Sequence, residues 1–104
     1  MLKIIGITDR NGNSKDDSLN QIIENHNSPY GYFLNEIMID RPFEFQYRDD
    51  ENYFLRSSTI QDYQWSENDN LHIITTRNSI YYIQEVWWKN NLLTPYWQVG
   101  CFVV

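Results

Sequence analysis

The chain has 104 residues and a formal net charge of −6, from 14 Asp and Glu against 8 Lys and Arg. This length can bury one hydrophobic core without disulfides or metals, so we predict a single domain over residues 1–104. The acidic balance argues against direct binding to nucleic acid, which requires a basic surface, and no apolar run approaches the roughly 18 residues that would predict a membrane-spanning helix.

The N-terminal part of the chain predicts one strand followed by one helix. The apolar run Leu2–Thr8 is typical of a short strand, and the polar segment after it predicts a loop. Ser18 and Gln21 have the spacing of a capping box, and apolar residues then recur at helical spacing. These signals predict a helix over residues 18–26.

The rest of the chain predicts a series of strands separated by polar turns. The predicted strands are 32–39, 43–48, 53–58, 59–65, 71–76, 79–88 and 96–104. In the second of these, Phe43, Phe45 and Tyr47 alternate with polar residues and are expected to face inward. Arg77 and Asn78 form a two-residue hairpin connection, because Asn tolerates positive φ. We therefore predict an α+β, β-rich fold: an antiparallel meander that forms a small barrel or half-barrel with one short helix.

Two adjacent tryptophans end the predicted strand 79–88. Trp87 and Trp88 point to opposite sides of a strand, so they cannot share one core face. Either the predicted helix covers the second face or a partner protein does. One of the two tryptophans is therefore a candidate apolar anchor for a partner chain.

Acidic residues are concentrated in two predicted turns. Asp49, Asp50 and Glu51 lie in the first, and Glu67 and Asp69 lie in the second. Asp is common in turns for conformational reasons alone. In an up-and-down meander, however, turns two connections apart share one end of the sheet, which predicts a rim of five carboxylates. Such a rim would steer a positively charged partner, and salt would weaken the attraction.

The sequence contains no convincing catalytic, metal or cofactor motif. The segment 9–13 resembles the start of a calcium loop, but its twelfth position is Asn20 where a bidentate Glu is needed. His26 and His72 have no Cys or second His at ligand spacing. We predict that the protein is not an enzyme and holds neither metal nor cofactor.

The single cysteine helps to predict the cellular compartment of the protein. Cys101 lies in an apolar run and has no second cysteine with which to form an internal disulfide. The N-terminal apolar segment is too short for a secretory signal. Together these features predict a cytoplasmic protein.

The segment RSSTIQDYQWSENDNLHIITTRNSIYYIQ contains a predicted hairpin with Thr75, Asn78, Ser79 and Tyr81. It resembles segments of small β-rich proteins of AT-rich Gram-positive bacteria and their phages, a group that includes anti-CRISPR proteins. The resemblance implies an inhibitor that occupies a nucleic-acid channel by presenting carboxylates where phosphates would lie.

The sequence therefore predicts a non-catalytic, acidic protein-binding module that inhibits a host defence nuclease. The predicted partner is a basic, nucleic-acid-handling protein, bound by the acidic rim with Trp87 or Trp88 as the anchor. The alternative is a structural or self-associating domain that forms a homodimer through its aromatic sheet face.

Overall fold

The computed structural model describes residues 1–86, which form one antiparallel sheet of seven strands with a single helix. The elements in chain order are β1 (Leu2–Thr8), α1 (Asp16–His26), β2 (Tyr30–Phe33), β3 (Glu44–Tyr47), β4 (Phe54–Arg56), β5 (Ile60–Ser66), β6 (Leu71–Thr76) and β7 (Ile80–Glu85). The predicted α+β, β-rich class is confirmed. Trp87, Trp88, Cys101 and the predicted strand 96–104 lie outside the described residues.

The strand order of the sheet is β4-β3-β2-β1-β7-β6-β5. The N-terminal strand β1 therefore lies at the centre, paired with β2 on one side and with β7 on the other. The sheet consists of two meanders, β1 to β4 and β5 to β7, joined through the β1–β7 pair. Within residues 1–86 the sheet does not close into a barrel, because β4 and β5 are its two edge strands and do not pair with each other.

The core lies on one face of the curled sheet, which we call the inner face. Ten apolar residues are buried there and under α1: Leu2, Ile4, Ile7, Ile22, Phe43, Phe45, Tyr47, Ile60, Ile74 and Ile83. Burial of the three aromatic residues from segment 43–48 confirms the predicted alternation. The curl brings distant strands together, since the ring of Phe33 in β2 lies 5.3 Å from the ring of His72 in β6.

Helix α1 begins two residues before the predicted start at residue 18. Lys15 occupies the N-cap position and makes no side-chain capping hydrogen bond, so Ser18 lies inside the helix and does not cap it. Two aspartates in the first turn interact favourably with the helix dipole, which stabilises the uncapped end. The helix ends at His26 as predicted, because Asn27 adopts the left-handed conformation with φ 72°. No helix within residues 1–86 has the length and apolar character needed to cross a bilayer.

The predicted strand 32–39 is wrong beyond Phe33. Residues 34–43 form a loop in which the side chain of Asn35 accepts a hydrogen bond from the backbone N–H of Glu44 at 3.1 Å. Such side-chain bonds to the backbone compete with strand pairing. Asp40 turns the chain with a φ of 70°, and the apolar side chains that suggested a strand, Leu34, Met38 and Ile39, are exposed.

Candidate functional site

The two acidic turns leave their strands in opposite directions, so the parity argument that predicted a single rim of five carboxylates is wrong. Each pair of neighbouring strands in the sheet is antiparallel, so each pairing reverses the strand direction. Five pairings lead from β3 to β5, and because this number is odd the two strands run in opposite directions. The turn after β3 (residues 48–53, the first acidic turn) and the turn after β5 (residues 67–70, the second acidic turn) therefore face opposite ways. The prediction assumed that β4 and β5 are antiparallel neighbours. Instead they are the two edge strands of the sheet and run in the same direction.

In the first acidic turn, Asp49 is engaged within the protein. Its carboxylate accepts two hydrogen bonds from the guanidinium of Arg48, at 2.8 and 3.0 Å. It also accepts a hydrogen bond from the hydroxyl of Ser28. These bonds, that from Arg48 first, hold the pKa of Asp49 below its ordinary value. Asp49 therefore joins the turn to the segment that follows α1.

We expect the Asp49→Asn variant to be less stable than the parent protein at neutral pH. A carboxyl whose folded pKa is lowered stabilises the fold above its unfolded pKa, and this contribution is lost as pH falls through the folded value. The difference in unfolding free energy should therefore shrink below the ordinary Asp value of 3.8. Urea unfolding of the variant and the parent at neutral and at acidic pH measures this difference.

The control for this prediction is Glu51→Gln. The Glu51 carboxylate accepts no hydrogen bond among residues 1–86, so this variant should match the parent at both pH values. If the loss of unfolding free energy in Asp49→Asn is as large at acidic pH as at neutral pH, the ionised carboxylate is not its cause.

Asp50 in the same turn also has an internal role. Its carboxylate accepts a hydrogen bond from Nδ1 of His26 at 2.8 Å, and the His26 ring stacks on Tyr47 at 4.0 Å. The last residue of α1 is thereby fixed against β3. Of the three acidic residues predicted here as partner-binding, Asp49 and Asp50 thus stabilise the fold, and Glu51 alone presents a carboxylate with no hydrogen bond in the described part of the chain.

The second acidic turn lies beside a large exposed aromatic side chain. Within residues 1–86 the Glu67 carboxylate has no hydrogen-bond partner, while Asp69 accepts one from the hydroxyl of Ser66 at 3.1 Å. Trp65, two residues before Glu67, is 43% exposed. It is paired in register with His72 of β6, and both side chains therefore lie on the inner face of the sheet.

His72 links this tryptophan to a third carboxylate, that of Glu85. The Nε2 atom of His72 lies 3.1 Å from Oε2 of Glu85, and Nδ1 lies 2.7 Å from the hydroxyl of Tyr63. Because a carboxylate only accepts, Nε2 carries the hydrogen, and in the neutral ring Nδ1 accepts from Tyr63. We call Trp65, His72 and Glu85 the Trp65 cluster.

The hydrogen-bond chain through His72 orients the side chains of Tyr63 and Glu85 on either side of the ring. Burial and the nearby Glu85 carboxylate raise the pKa of Tyr63, which keeps its hydroxyl protonated. The His72 ring is packed among the rings of Trp65 at 4.7 Å, Phe33 at 5.3 Å and Tyr63 at 5.8 Å. His72 is thus held from several sides, and its position fixes that of Glu85.

The sequence-based predictions treated His72 only as a possible metal ligand and included neither Trp65 nor Glu85 among the site residues. The signal that could have found them is strand register. A four-residue turn between β5 and β6 places Trp65 opposite His72, and the predicted two-residue connection between β6 and β7 places His72 opposite Ile83. Glu85 follows two residues later on the same face.

A cavity of about 440 Å³ between α1 and the β4 side of the sheet is a weaker candidate. Its two cationic residues have partners within the protein. The ammonium of Lys15 donates to the hydroxyl of Ser79 at 2.8 Å, and Arg56 lies 3.9 Å from the carboxylate of Glu44. Among residues 1–86, no group of three or more His, Cys, Asp or Glu side chains could hold a metal ion.

Comparison of the chain with protein-family models, with curated proteins and with solved structures finds no match. The resemblance to small phage and bacterial β-rich proteins therefore stays a prediction. Function is inferred from the residues themselves, and the Trp65 cluster with the second acidic turn is the surface that best fits a binding role.

Proposed function

We propose that the protein is a non-catalytic module that binds a basic, nucleic-acid-handling protein. The observation that supports this most is the meeting of three carboxylates with one exposed indole at a single end of the sheet. The backbone N–H of Glu85 donates to the carbonyl of Asn70 in the second acidic turn at 2.8 Å, which places Glu85 beside Glu67 and Asp69. Carboxylates attract a cationic surface, and an exposed aromatic residue supplies the water-excluding contact typical of interface centres.

The charge distribution favours the second acidic turn over the first. Asp49 and Asp50 in the first acidic turn are satisfied by Arg48 and His26, whereas Glu67 has no hydrogen-bond partner in the described part of the chain. The aromatic contact in this proposal comes from Trp65. A nuclease of a defence system carries its positive charge where nucleic acid binds, so a module that covers this charge acts as an inhibitor.

Charge reversal at the second acidic turn tests the proposal. We expect Glu67→Lys combined with Asp69→Lys to weaken binding to the cationic partner about tenfold or more, because two attractive charges become repulsive. The parent protein is first used to capture proteins from a nuclease-treated bacterial lysate at low and high salt. A captured nucleic-acid-binding protein is then purified, and its affinity is measured by calorimetry with and without competing DNA.

The matched control is Glu24→Lys on α1 combined with Glu51→Lys in the first acidic turn, two exposed positions that change the net charge equally. This control should bind almost as tightly as the parent. Equal losses in both double variants would mean that overall charge, and not this surface, determines binding. Capture of no cationic protein at low salt would contradict the proposal, and a concentration-dependent dimer that persists in the reversed variant would favour the homodimer alternative.

A further inference from the structure

We infer that the Trp65 cluster binds an arginine side chain of the partner, with the guanidinium stacked on the Trp65 indole and hydrogen-bonded to the Glu85 carboxylate. This inference rests on the proposed function and specifies its central contact. Three features support it: an exposed ring held in place, a carboxylate that is only half satisfied, and local negative charge that no Lys or Arg near it in β5, β6 or β7 offsets.

The first feature is the Trp65 ring. It is 43% exposed although it lies on the inner face, and the His72 ring, inclined by 46°, supports it at 4.7 Å. A cation within about 6 Å of an indole centroid is attracted by the negative face of the ring. The flat guanidinium of arginine stacks on such a surface, which the compact, strongly hydrated lysine ammonium does not do.

The second feature is the state of the Glu85 carboxylate. Its Oε2 atom accepts the hydrogen bond from His72, while Oε1 has no hydrogen-bond partner among residues 1–86. The side chain is 42% exposed, whereas that of His72 is 12% exposed. The backbone at Glu85 is fixed by its pairing with Leu2. A positioned carboxylate with one open oxygen can accept from a guanidinium at little cost in side-chain entropy.

The third feature is the local charge. From β5 to Val86 the sequence carries a single cation, Arg77. Arg77 lies in the β6–β7 connection, at the opposite end of these strands from the second acidic turn. Glu67, Asp69 and Glu85 are therefore not offset by a Lys or Arg of their own strands. A cationic side chain from a partner would supply the missing positive charge.

A pair of peptides with equal charge tests the inference. One carries arginines spaced by glycines, and the other has lysine at each arginine position. We expect the parent protein to bind the arginine peptide several-fold more tightly at low salt, because only arginine gains the stacking contact. Trp65→Leu and, separately, Glu85→Gln should each weaken arginine-peptide binding about tenfold. Trp65→Leu should also abolish the preference for arginine over lysine.

The controls are Phe54→Leu, which alters an exposed aromatic side chain on another strand, and Glu51→Gln in the first acidic turn. Neither should change affinity, and circular dichroism should show every variant folded. As a direct readout, the Trp65 indole N–H resonance, assigned by its loss in Trp65→Leu, should shift on addition of the arginine peptide. Equal binding of both peptides by the parent overturns the inference and leaves the proposed function standing. Binding of neither peptide overturns both.

Discussion

Replacing Gly31 with alanine is expected to destabilise the protein by about 3 kcal/mol or more, because an added Cβ atom has no space in the sheet. The new atom would overlap the backbone carbonyl oxygen of Gln46 and would come within 2.6 Å of the Phe45 ring. A side chain can rotate away from such a clash, but a backbone carbonyl in the neighbouring strand cannot. Strands β2 and β3 would have to separate. Urea unfolding measures the loss of unfolding free energy, and a variant that does not fold at all would show the same effect in its most severe form.

The chain contains a matched control at Gly6. A Cβ atom there would meet the Tyr82 ring at 3.6 Å, which is ordinary van der Waals contact. We expect Gly6→Ala to change the unfolding free energy by less than about 1 kcal/mol. Equally large losses of stability in the two variants would contradict the assignment of the Gly31 effect to the close approach of β2 and β3.

Phe43→Ala is expected to cost about 3–5 kcal/mol, because it removes a fully buried ring from the centre of the core. Phe43 is 0% exposed. Its ring packs edge-on against Tyr81 of β7 at 5.0 Å and against Phe33 of β2 at 6.0 Å. The substitution therefore weakens contacts between the two meanders as well as leaving a cavity. Denaturant unfolding should show a lower midpoint.

Phe54→Ala makes the same chemical change at a position that is 48% exposed. Its cost should be only about 0.5 kcal/mol, as at ordinary surface positions. A comparably large loss at both phenylalanines would contradict the placement of the core on the inner face alone.

Local patterns in the sequence were sufficient to predict most of the elements. The bounds of β1 and β6 agree with their predicted segments, and the alternation of apolar and polar residues identified the buried side of β3. The β6–β7 hairpin formed at Arg77 and Asn78 as predicted, with the N–H of Thr76 donating to the carbonyl of Ser79 at 2.8 Å. The positive φ expected at Asn78 is not found, so the reason given for this connection was wrong. These features depend on neighbouring residues, so their signals are contained in short stretches of chain.

The candidate site depends on pairings between residues far apart in sequence, and those could not be predicted. No pattern in the residues around the β4–β5 connection indicates that β5 lies at the opposite edge of the sheet from β4. Because of this connection, the turn with Glu67 points in the opposite direction from the one expected relative to the turn with Asp49. The internal hydrogen bonds of Asp49 to Ser28 and of Asp50 to His26 likewise require the tertiary fold. Acidic turns on the surface and acidic turns that stabilise the fold have the same sequence pattern.

The pairing of β1 with β7 gives the chain a characteristic order of assembly. The middle of the sheet joins β1 to a strand about eighty residues later in the chain, for example Leu2 with Glu85. During synthesis, β1 can pair with β2 on one side, but its other side stays open until Ile80–Glu85 has left the ribosome. Contacts over such long stretches of chain slow folding. Completion of β7 is thus the event that unites two half-sheets into one cooperative unit.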